Sequence, residues 1–349
     1  MATGIVSVAA SEEQARAHAL SALSGMLAWL AAGAYGLLVV LHLARLTRSA
    51  EPLCRDLARP PSSFEALTFA AGSAVLAVRA LLADHRAAAV ALGLVAVAAW
   101  LGLGSLAAAS LARRPPGPLP RVARGSWLLA AVATESLAVL AAMAARSGRA
   151  GSPSAVPSGA WHSLLLTAAV GWWLAGVVLY GLLAASIWPR LLAALRGSPW
   201  AWFGADDWIV MGGLAITALA AAQITLAAGA SPAARTALAG PGAGMPAVAV
   251  TAWAVASGWI LPLALLELRR AARALARRER HRTARDQASW WSAVFPLGMY
   301  SVASHALAAA LGLAALEAVA WAFLGIALAA WLTTSLSAAT SSLTGRFRR

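Results

Sequence analysis

Residues Trp290–Ser304 read WWSAVFPLGMYSVAS, and this stretch shows the pattern on which the whole chain is built. It opens with a pair of tryptophans, which favour the membrane–water interface, and continues as an apolar helix interrupted by a proline. At 100° per residue, Phe295, Gly298, Ser301 and His305 fall within an arc of about 120°. One bulky aromatic among small and polar groups is typical of an occluded pore lining. The alternative is a kinked helix packed against its neighbours.

The composition of the chain is that of a membrane protein. Of its 349 residues, 61% are hydrophobic and only 11% are charged, whereas a soluble protein carries about 25% charged residues. Apolar runs of about 20 residues recur from end to end, which predicts an all-α polytopic membrane protein. We expect one transmembrane transporter or channel domain over residues 1–349, spanning the membrane to about residue 340 and ending in a short basic cytoplasmic tail, 341–349.

The apolar runs predict ten membrane spans. The first, Met1–Ala10, is too short to cross a bilayer of about 30 Å and resembles the second half of a truncated helix. The other nine are placed at about 19–44, 64–83, 87–111, 126–146, 162–187, 207–229, 247–268, 288–312 and 315–338.

Arginine placement predicts the topology of these spans. The chain has no lysine, and 21 of its 27 arginines lie in loops after even-numbered spans or at the C-terminus. The positive-inside rule then places both termini in the cytoplasm. The net charge of +14 therefore reflects topology, and no nucleic-acid partner is expected. The alanine- and arginine-rich composition is typical of a high-GC bacterium, so we expect a multi-pass protein of the bacterial plasma (inner) membrane.

Small and polar residues concentrate in the odd-numbered spans. This asymmetry predicts an inner ring of odd helices that forms a pore, wrapped by an outer ring of even helices; the alternative is that small residues only let helices approach closely. The residues predicted to line the pore are Thr3, Gly4, Ser7, Thr68, Gly72, Thr134, Glu135, Gly213, Thr217, Gly298 and Ser301.

Two charged residues within spans are candidates for a functional role. Arg79, at the predicted external end of the third span, could attract anions to an aqueous mouth, or extend to lipid headgroups. Glu135 lies near the middle of the fifth span, where an ionised carboxylate costs about 3 kcal/mol. It is either a proton-coupling or selectivity group in the pathway, or a neutral acid hydrogen-bonded to a neighbouring helix.

Enzymatic and metal-binding signatures are weak. The six histidines form no HxxxH or HExxH pair, so no metal site and no cofactor are expected. His281 and Asp286 have the HxxxxD spacing of some acyltransferases, but they lie in an arginine-rich run without other catalytic signals. Cys54 is the only cysteine, which excludes a disulfide within the chain. We therefore expect a protein that is not an enzyme.

Five segments carry a family resemblance. MATGIVSVA, LTFAAGSAVLAVR, WLLAAVATESLAVLAA, DDWIVMGGLAITALA and WWSAVFPLGMYSVAS are similar to the five odd helices of the tellurite-resistance/C4-dicarboxylate transporter family. That family is related to bacterial tellurite-resistance channels, yeast malate and sulfite transporters, and plant slow anion channels. The resemblance implies ten transmembrane helices arranged as five hairpins, with the odd helices around a central pore, and a homotrimer.

The resemblance also implies a function. A phenylalanine on the ninth helix occludes the pore in related members, and Phe295 matches that position. Pro296 and Gly298 match kink-forming positions. The expected activity is transport of small anions, such as malate and other C4-dicarboxylates, tellurite, sulfite or chloride, across the lipid bilayer. The alternatives are a proton-coupled dicarboxylate symporter that uses Glu135, and a membrane-embedded lipid-modifying enzyme.

Overall fold

The computed structural model describes residues 1–12, 18–49, 51–113, 123–147, 158–198, 203–229, 244–276 and 290–346. Helices account for most of these residues, and no strand occurs among them. The α-helices of the described part are α1 (Ala2–Glu12), α2 (His18–Arg48), α3 (Glu51–Leu57), α4 (Pro60–Ala66), α5 (Thr68–Leu82), α6 (Arg86–Ala112), α7 (Leu129–Ser147), α8 (Ser158–Leu195), α9 (Ile209–Gly229), α10 (Met245–Ala276), α11 (Trp291–Leu311) and α12 (Ala315–Arg346).

The helices are long and apolar enough for a polytopic membrane protein. Nine segments of the described residues could cross a membrane by length and composition, with α4 and α5 together forming one of them. Helix α1 has 11 residues, or roughly 16 Å at 1.5 Å per residue, which is shorter than a bilayer core. The prediction of an all-helical polytopic membrane protein is confirmed. The count of ten crossings stays a prediction.

Burial alternates along the chain between an inner and an outer set of helices. In the most apolar window of α9, 89% of residues are buried, and α7 and α11 have 72% and 78%. The corresponding values are 11% for α2 and α6 and 17% for α12. The inner helices are rich in alanine, glycine and serine, which permit close backbone contact, while the outer helices expose leucine, valine and tryptophan as lipid-facing surfaces do.

The inner helices close a ring. Helix α1 packs against α5 and α11, α5 against α7, α7 against α9, and α9 against α11. Each inner helix also packs against the next long helix of the chain, in the pairs α1–α2, α5–α6, α7–α8, α9–α10 and α11–α12. These contacts agree with the arrangement that five hairpins would give. That each pair crosses a membrane and returns stays a prediction.

Two inner helices, α7 and α9, begin with a 3-10 turn. The turns are Gly125–Leu128 and Ala205–Trp208, and they contact each other. A Cβ atom at Gly125 would overlap the backbone of Asp206, so only glycine permits this contact. The Asp207 carboxylate caps its own turn by accepting a hydrogen bond of 2.9 Å from the Gly204 backbone N–H. The starts of α7 and α9 are therefore fixed relative to each other.

Candidate functional site

A narrow cavity lies on the axis of the helix ring. Its volume is about 20 Å³, which is room for about one water molecule. Residues from all five inner helices line it, and most of them are aliphatic. The lining residues are Ile5, Val8 and Glu12 of α1, Ala74, Val75 and Val78 of α5, Ser136, Val139 and Met143 of α7, Ile216, Leu219 and Gln223 of α9, and Met299 and Val302 of α11.

Each inner helix presents a single face to this cavity. Within each helix the lining residues follow one another at intervals of three or four positions, apart from the adjacent Ala74 and Val75, and this is the spacing of one helical face. On α9, for example, the face runs through Ile216, Leu219 and Gln223. The cavity is thus the space enclosed by five such faces.

Phe295 lies on the cavity-facing side of α11. It precedes Met299 by four positions and Val302 by seven, so all three side chains share one helical face. The cavity does not include Phe295, which lies one helical turn beyond Met299 toward the N-terminal end of the helix. Its side chain is 1% exposed. A path that continued the cavity along the ring axis would therefore meet this aromatic ring next.

The backbone beside Phe295 is packed closely. A Cβ atom at Gly212 of α9 would lie 2.9 Å from Cγ and 3.3 Å from Cα of Pro296. Glycine at this position therefore lets α9 and α11 touch at the level of the phenylalanine. Pro296 lies inside α11 and lacks a backbone donor, so it presents its ring to Gly212 without leaving an N–H group unpaired.

Four of the polar residues that were predicted to line the pore bond to outer helices and do not line the cavity. Trp331 Nε1 of α12 donates to Thr3 Oγ1 at 3.0 Å, and Trp100 Nε1 of α6 donates to Thr134 Oγ1 at 2.8 Å. Ser301 Oγ donates to the carbonyl oxygen of Ala320 in α12 at 2.7 Å. Ser7 exchanges two hydrogen bonds of 2.8 Å with Ser24 of α2.

The predicted glycines lie at close helix contacts. A Cβ atom at Gly4 would lie 3.0 Å from Val75, one at Gly213 would lie 2.6 Å from the Tyr180 ring of α8, and one at Gly298 would lie 3.0 Å from Ile5. A Cβ at Gly72 would lie 3.8 Å from the Met1 nitrogen, and Thr68 begins α5. None of the eleven predicted lining residues is among those that line the cavity. Their role in a pore stays a prediction.

Glu135 lies between α7, α8 and α9. Its side chain is fully buried, and its Oε1 atom accepts a hydrogen bond of 2.7 Å from Thr217 Oγ1. A Cβ atom at Gly176 of α8 would overlap its side chain, so the carboxyl points away from the ring axis. Within the described residues, Oε2 has no hydrogen-bond partner. The next residue, Ser136, lines the cavity, so the acid lies directly behind the wall.

Arg79 lies where α1 meets α5. Its Nε atom donates a hydrogen bond of 3.1 Å to Ser7 Oγ, and the side chain is partly exposed. It is not among the cavity-lining residues. The predicted attraction of anions by Arg79 stays a prediction.

Sequence reasoning missed a polar cluster at the other end of the cavity from Phe295. Glu12 and Gln223 line the cavity there, and Arg146 Nη1 donates to Gln223 Oε1 at 2.7 Å. His305 lies between two carboxylates, with Nε2 3.6 Å from Glu12 and Nδ1 3.2 Å from Glu317. One feature of the sequence could have indicated this cluster. Its residues fall near the ends of predicted spans, and spans that run in the same direction have their corresponding ends at the same level.

His281 and Asp286, the candidates for a lipid-modifying enzyme, lie outside the described residues. Within the described part of the chain, no three histidine, cysteine, aspartate or glutamate side chains are grouped so that they could hold a metal ion.

The comparisons with known proteins identify the family. The profile of the SLAC1 family, described as voltage-dependent anion channel, matches residues 1–339. A comparison with curated proteins finds no match. The SLAC1 family comprises anion channels and transporters rather than enzymes, which supports a multi-pass membrane protein with anions as its substrates. Since the match covers nearly the whole chain, this protein belongs to the SLAC1 voltage-dependent anion channel family.

Proposed function

We propose that the protein passes small anions along the axis of the five inner helices and that the side chain of Phe295 closes this path. One observation carries the proposal. Phe295 shares a face of α11 with the cavity-lining Met299 and Val302, and it lies one turn beyond the end of the cavity. An aromatic ring in this position would block an aqueous path sterically, and its rotation or removal would open it.

The wall of the cavity suggests how anions are selected. Its side chains are mainly aliphatic, and none of the described residues that line it is basic. Such a wall offers no tight binding pocket, so selection would come from the width of the path and the charges at its ends. The proposed substrates are small anions such as malate and other C4-dicarboxylates, tellurite, sulfite or chloride.

The proposed setting is the bacterial plasma membrane. The outer helices expose large apolar side chains such as Trp29, Leu94, Leu182 and Leu261, which suits contact with lipid or with other copies of the chain. The placement of the arginines supports ten crossings with both termini in the cytoplasm. We propose one transmembrane domain over residues 1–349 and a homotrimer in which each protomer has its own path.

The test is the effect of Phe295→Ala on anion flux in proteoliposomes. Removing the ring opens the narrowest part of the proposed path, so flux of chloride and malate should rise at least about tenfold, a fall of about 1.4 kcal/mol in the barrier. Phe295→Leu, which removes less of the side chain and disturbs packing less, should give a smaller rise.

The matched control is Phe64→Ala. Phe64 is 4% exposed and stacks on Trp127 with ring centroids 5.4 Å apart, but it does not line the cavity. Replacing Phe64 with alanine also removes a buried phenylalanine ring, but it does not open the path. Monodisperse elution and retained helicity show that each variant is folded. Unchanged flux in folded Phe295→Ala and Phe295→Leu proteins would refute the assignment of Phe295 as the closing residue.

Proton-coupled dicarboxylate symport is the second candidate function, and one observation favours it. Glu135 is a buried carboxyl group directly behind the cavity wall, and its Oε2 atom has no hydrogen-bond partner among the described residues. A group that took up a proton there could couple proton movement to anion movement. Replacement of Glu135 by glutamine separates this candidate from a simple channel.

A further inference from the structure

Two residues with polar side chains, Glu12 and Gln223, line the end of the cavity opposite Phe295. Among the described residues that line the cavity, only Glu12, Ser136 and Gln223 have polar oxygen or nitrogen atoms in their side chains. Ser136 Oγ donates to the carbonyl oxygen of Val132 in its own helix at 2.7 Å, so its proton is directed away from the axis. Glu12 is therefore the one lining residue whose side chain can carry a net charge.

Three further side chains, those of His305, Glu317 and Arg146, lie close to Glu12 and Gln223. His305 Nε2 lies 3.6 Å from Glu12 Oε2, and its Nδ1 atom lies 3.2 Å from Glu317 Oε2. Arg146 donates to Gln223 at 2.7 Å and is close enough to Glu12 to act on its charge. These contacts position Glu12 at the cavity and compensate part of its negative charge.

Among the described residues of this end, Glu12 and Glu317 contribute two negative charges and Arg146 contributes one positive charge. His305 adds a further positive charge when it is protonated. An anion that leaves or enters at this end passes the Glu12 carboxylate itself, while the compensating cations lie farther from the axis. The local repulsion therefore grows with the charge of the anion.

We infer that Glu12 is a specificity-determining residue, an electrostatic filter that favours monovalent over divalent anions, and that His305 and Arg146 set its strength. This inference rests on the proposed anion path. It assigns a second selective position to that path, at the opposite end from Phe295. Phe295 would determine whether the path is open, and Glu12 would determine which charge passes.

The test compares chloride and malate flux in proteoliposomes at pH 8, where malate is a dianion. A unit charge at 4 Å changes the local concentration of a monovalent ion about fivefold even at the dielectric constant of water, and that of a divalent ion by about the square of this factor. Glu12→Gln should therefore raise the malate-to-chloride flux ratio by at least about fivefold. Arg146→Gln, which removes a compensating positive charge that is present at this pH, should lower the ratio.

The matched control is Asp84→Asn. Asp84 follows α5, its side chain is 85% exposed, and it pairs with Arg86 at 3.2 Å, so the substitution removes one carboxylate charge away from the cavity. The flux ratio of this variant should equal that of the unmodified protein.

Two outcomes would overturn the inference, and they are distinguishable. If Phe295→Ala conducts anions but neither Glu12→Gln nor Arg146→Gln changes the flux ratio, the filter is refuted and the proposed path stands. If no variant, including Phe295→Ala, conducts either anion, the proposed function fails and the filter fails with it. Opposite shifts of the ratio in folded Glu12→Gln and Arg146→Gln proteins support the filter.

Discussion

The ion pair between Arg190 and Asp207 gives the sharpest prediction about stability. Both side chains are fully buried, and the pair is bidentate, with Nη2 2.6 Å from Oδ1 and Nη1 3.0 Å from Oδ2. Arg190 belongs to the outer helix α8, and Asp207 lies in the turn that begins the inner helix α9. The pair therefore ties the outer layer to the start of a helix that lines the cavity.

Replacement of Asp207 by asparagine should destabilise the protein strongly. Breaking one side of a buried pair leaves an uncompensated charge and costs about 3–5 kcal/mol. Asp206 lies close enough to Arg190 to compensate part of that charge, so the lower end of this range applies. At about 2 °C per kcal/mol, the expected fall in the thermal midpoint is roughly 6 °C.

The double variant Arg190→Met/Asp207→Asn tests the reasoning. The methionine removes the buried charge, and the asparagine can still accept the hydrogen bond that Asp207 accepts from Gly204. The double variant should therefore recover at least half of the fall in thermal midpoint that Asp207→Asn causes. Tryptophan fluorescence during heating in detergent, at one heating rate for all variants, measures the midpoint.

The control for the ion pair is Glu51→Gln. Glu51 and Arg55 form an ion pair of 3.0 Å on the surface of α3, with side chains 79% and 66% exposed. Such a pair contributes about 0.5 kcal/mol or less, so the midpoint should fall by about 1 °C at most. A fall in Asp207→Asn no larger than this, or a double variant less stable than Asp207→Asn, would refute the argument.

Two further substitutions, Gly212→Ala and Glu135→Gln, test the packing behind the cavity wall. Gly212→Ala places a methyl group 2.9 Å from Pro296 and should lower the free energy of unfolding by about 1–3 kcal/mol. The control is Gly33→Ala, which has no heavy atom within 4 Å of the added methyl group and should be neutral or slightly stabilising. A thermal midpoint that is equal in both variants would contradict the close contact. Glu135→Gln should leave chloride flux within about twofold of the unmodified protein, because the side chain at position 135 packs against Gly176, behind the cavity wall. Loss of pH-dependent malate uptake with a residual leak would instead support symport.

Much of the fold could be predicted from composition and charge. Lipid requires long apolar helices, so the approximate limits of the long helices are readable from hydropathy alone. The inner helices could be separated from the outer ones because only small side chains allow a helix to be surrounded by neighbours. Helix α9, which runs from Ile209 to Gly229 and contains the pair Gly212 and Gly213, is the most buried of the long helices among the described residues.

The faces of the inner helices could not be predicted in the same way. Polar residues were expected to face the axis, but Thr3 and Thr134 accept hydrogen bonds from the tryptophans of outer helices. An indole N–H inside a membrane has no water to bond, so it requires an acceptor on the neighbouring helix. Polar side chains of the inner helices therefore serve as acceptors for these indole N–H groups. Composition alone does not reveal which polar side chain bonds to which partner.

The aliphatic wall has a consequence for how selectivity can arise. Between Met299 and the polar end at Glu12, the lining residues of α1 and α11 are Ile5, Val8 and Val302, which offer an anion no hydrogen-bond donor. On the proposed path, this section therefore does not distinguish one anion from another by hydrogen bonding. The proposal places discrimination at the two ends, by the width available beside Phe295 and by the charge at Glu12. The two substitutions should act on different properties of transport, since one changes total flux and the other changes the ratio between anions.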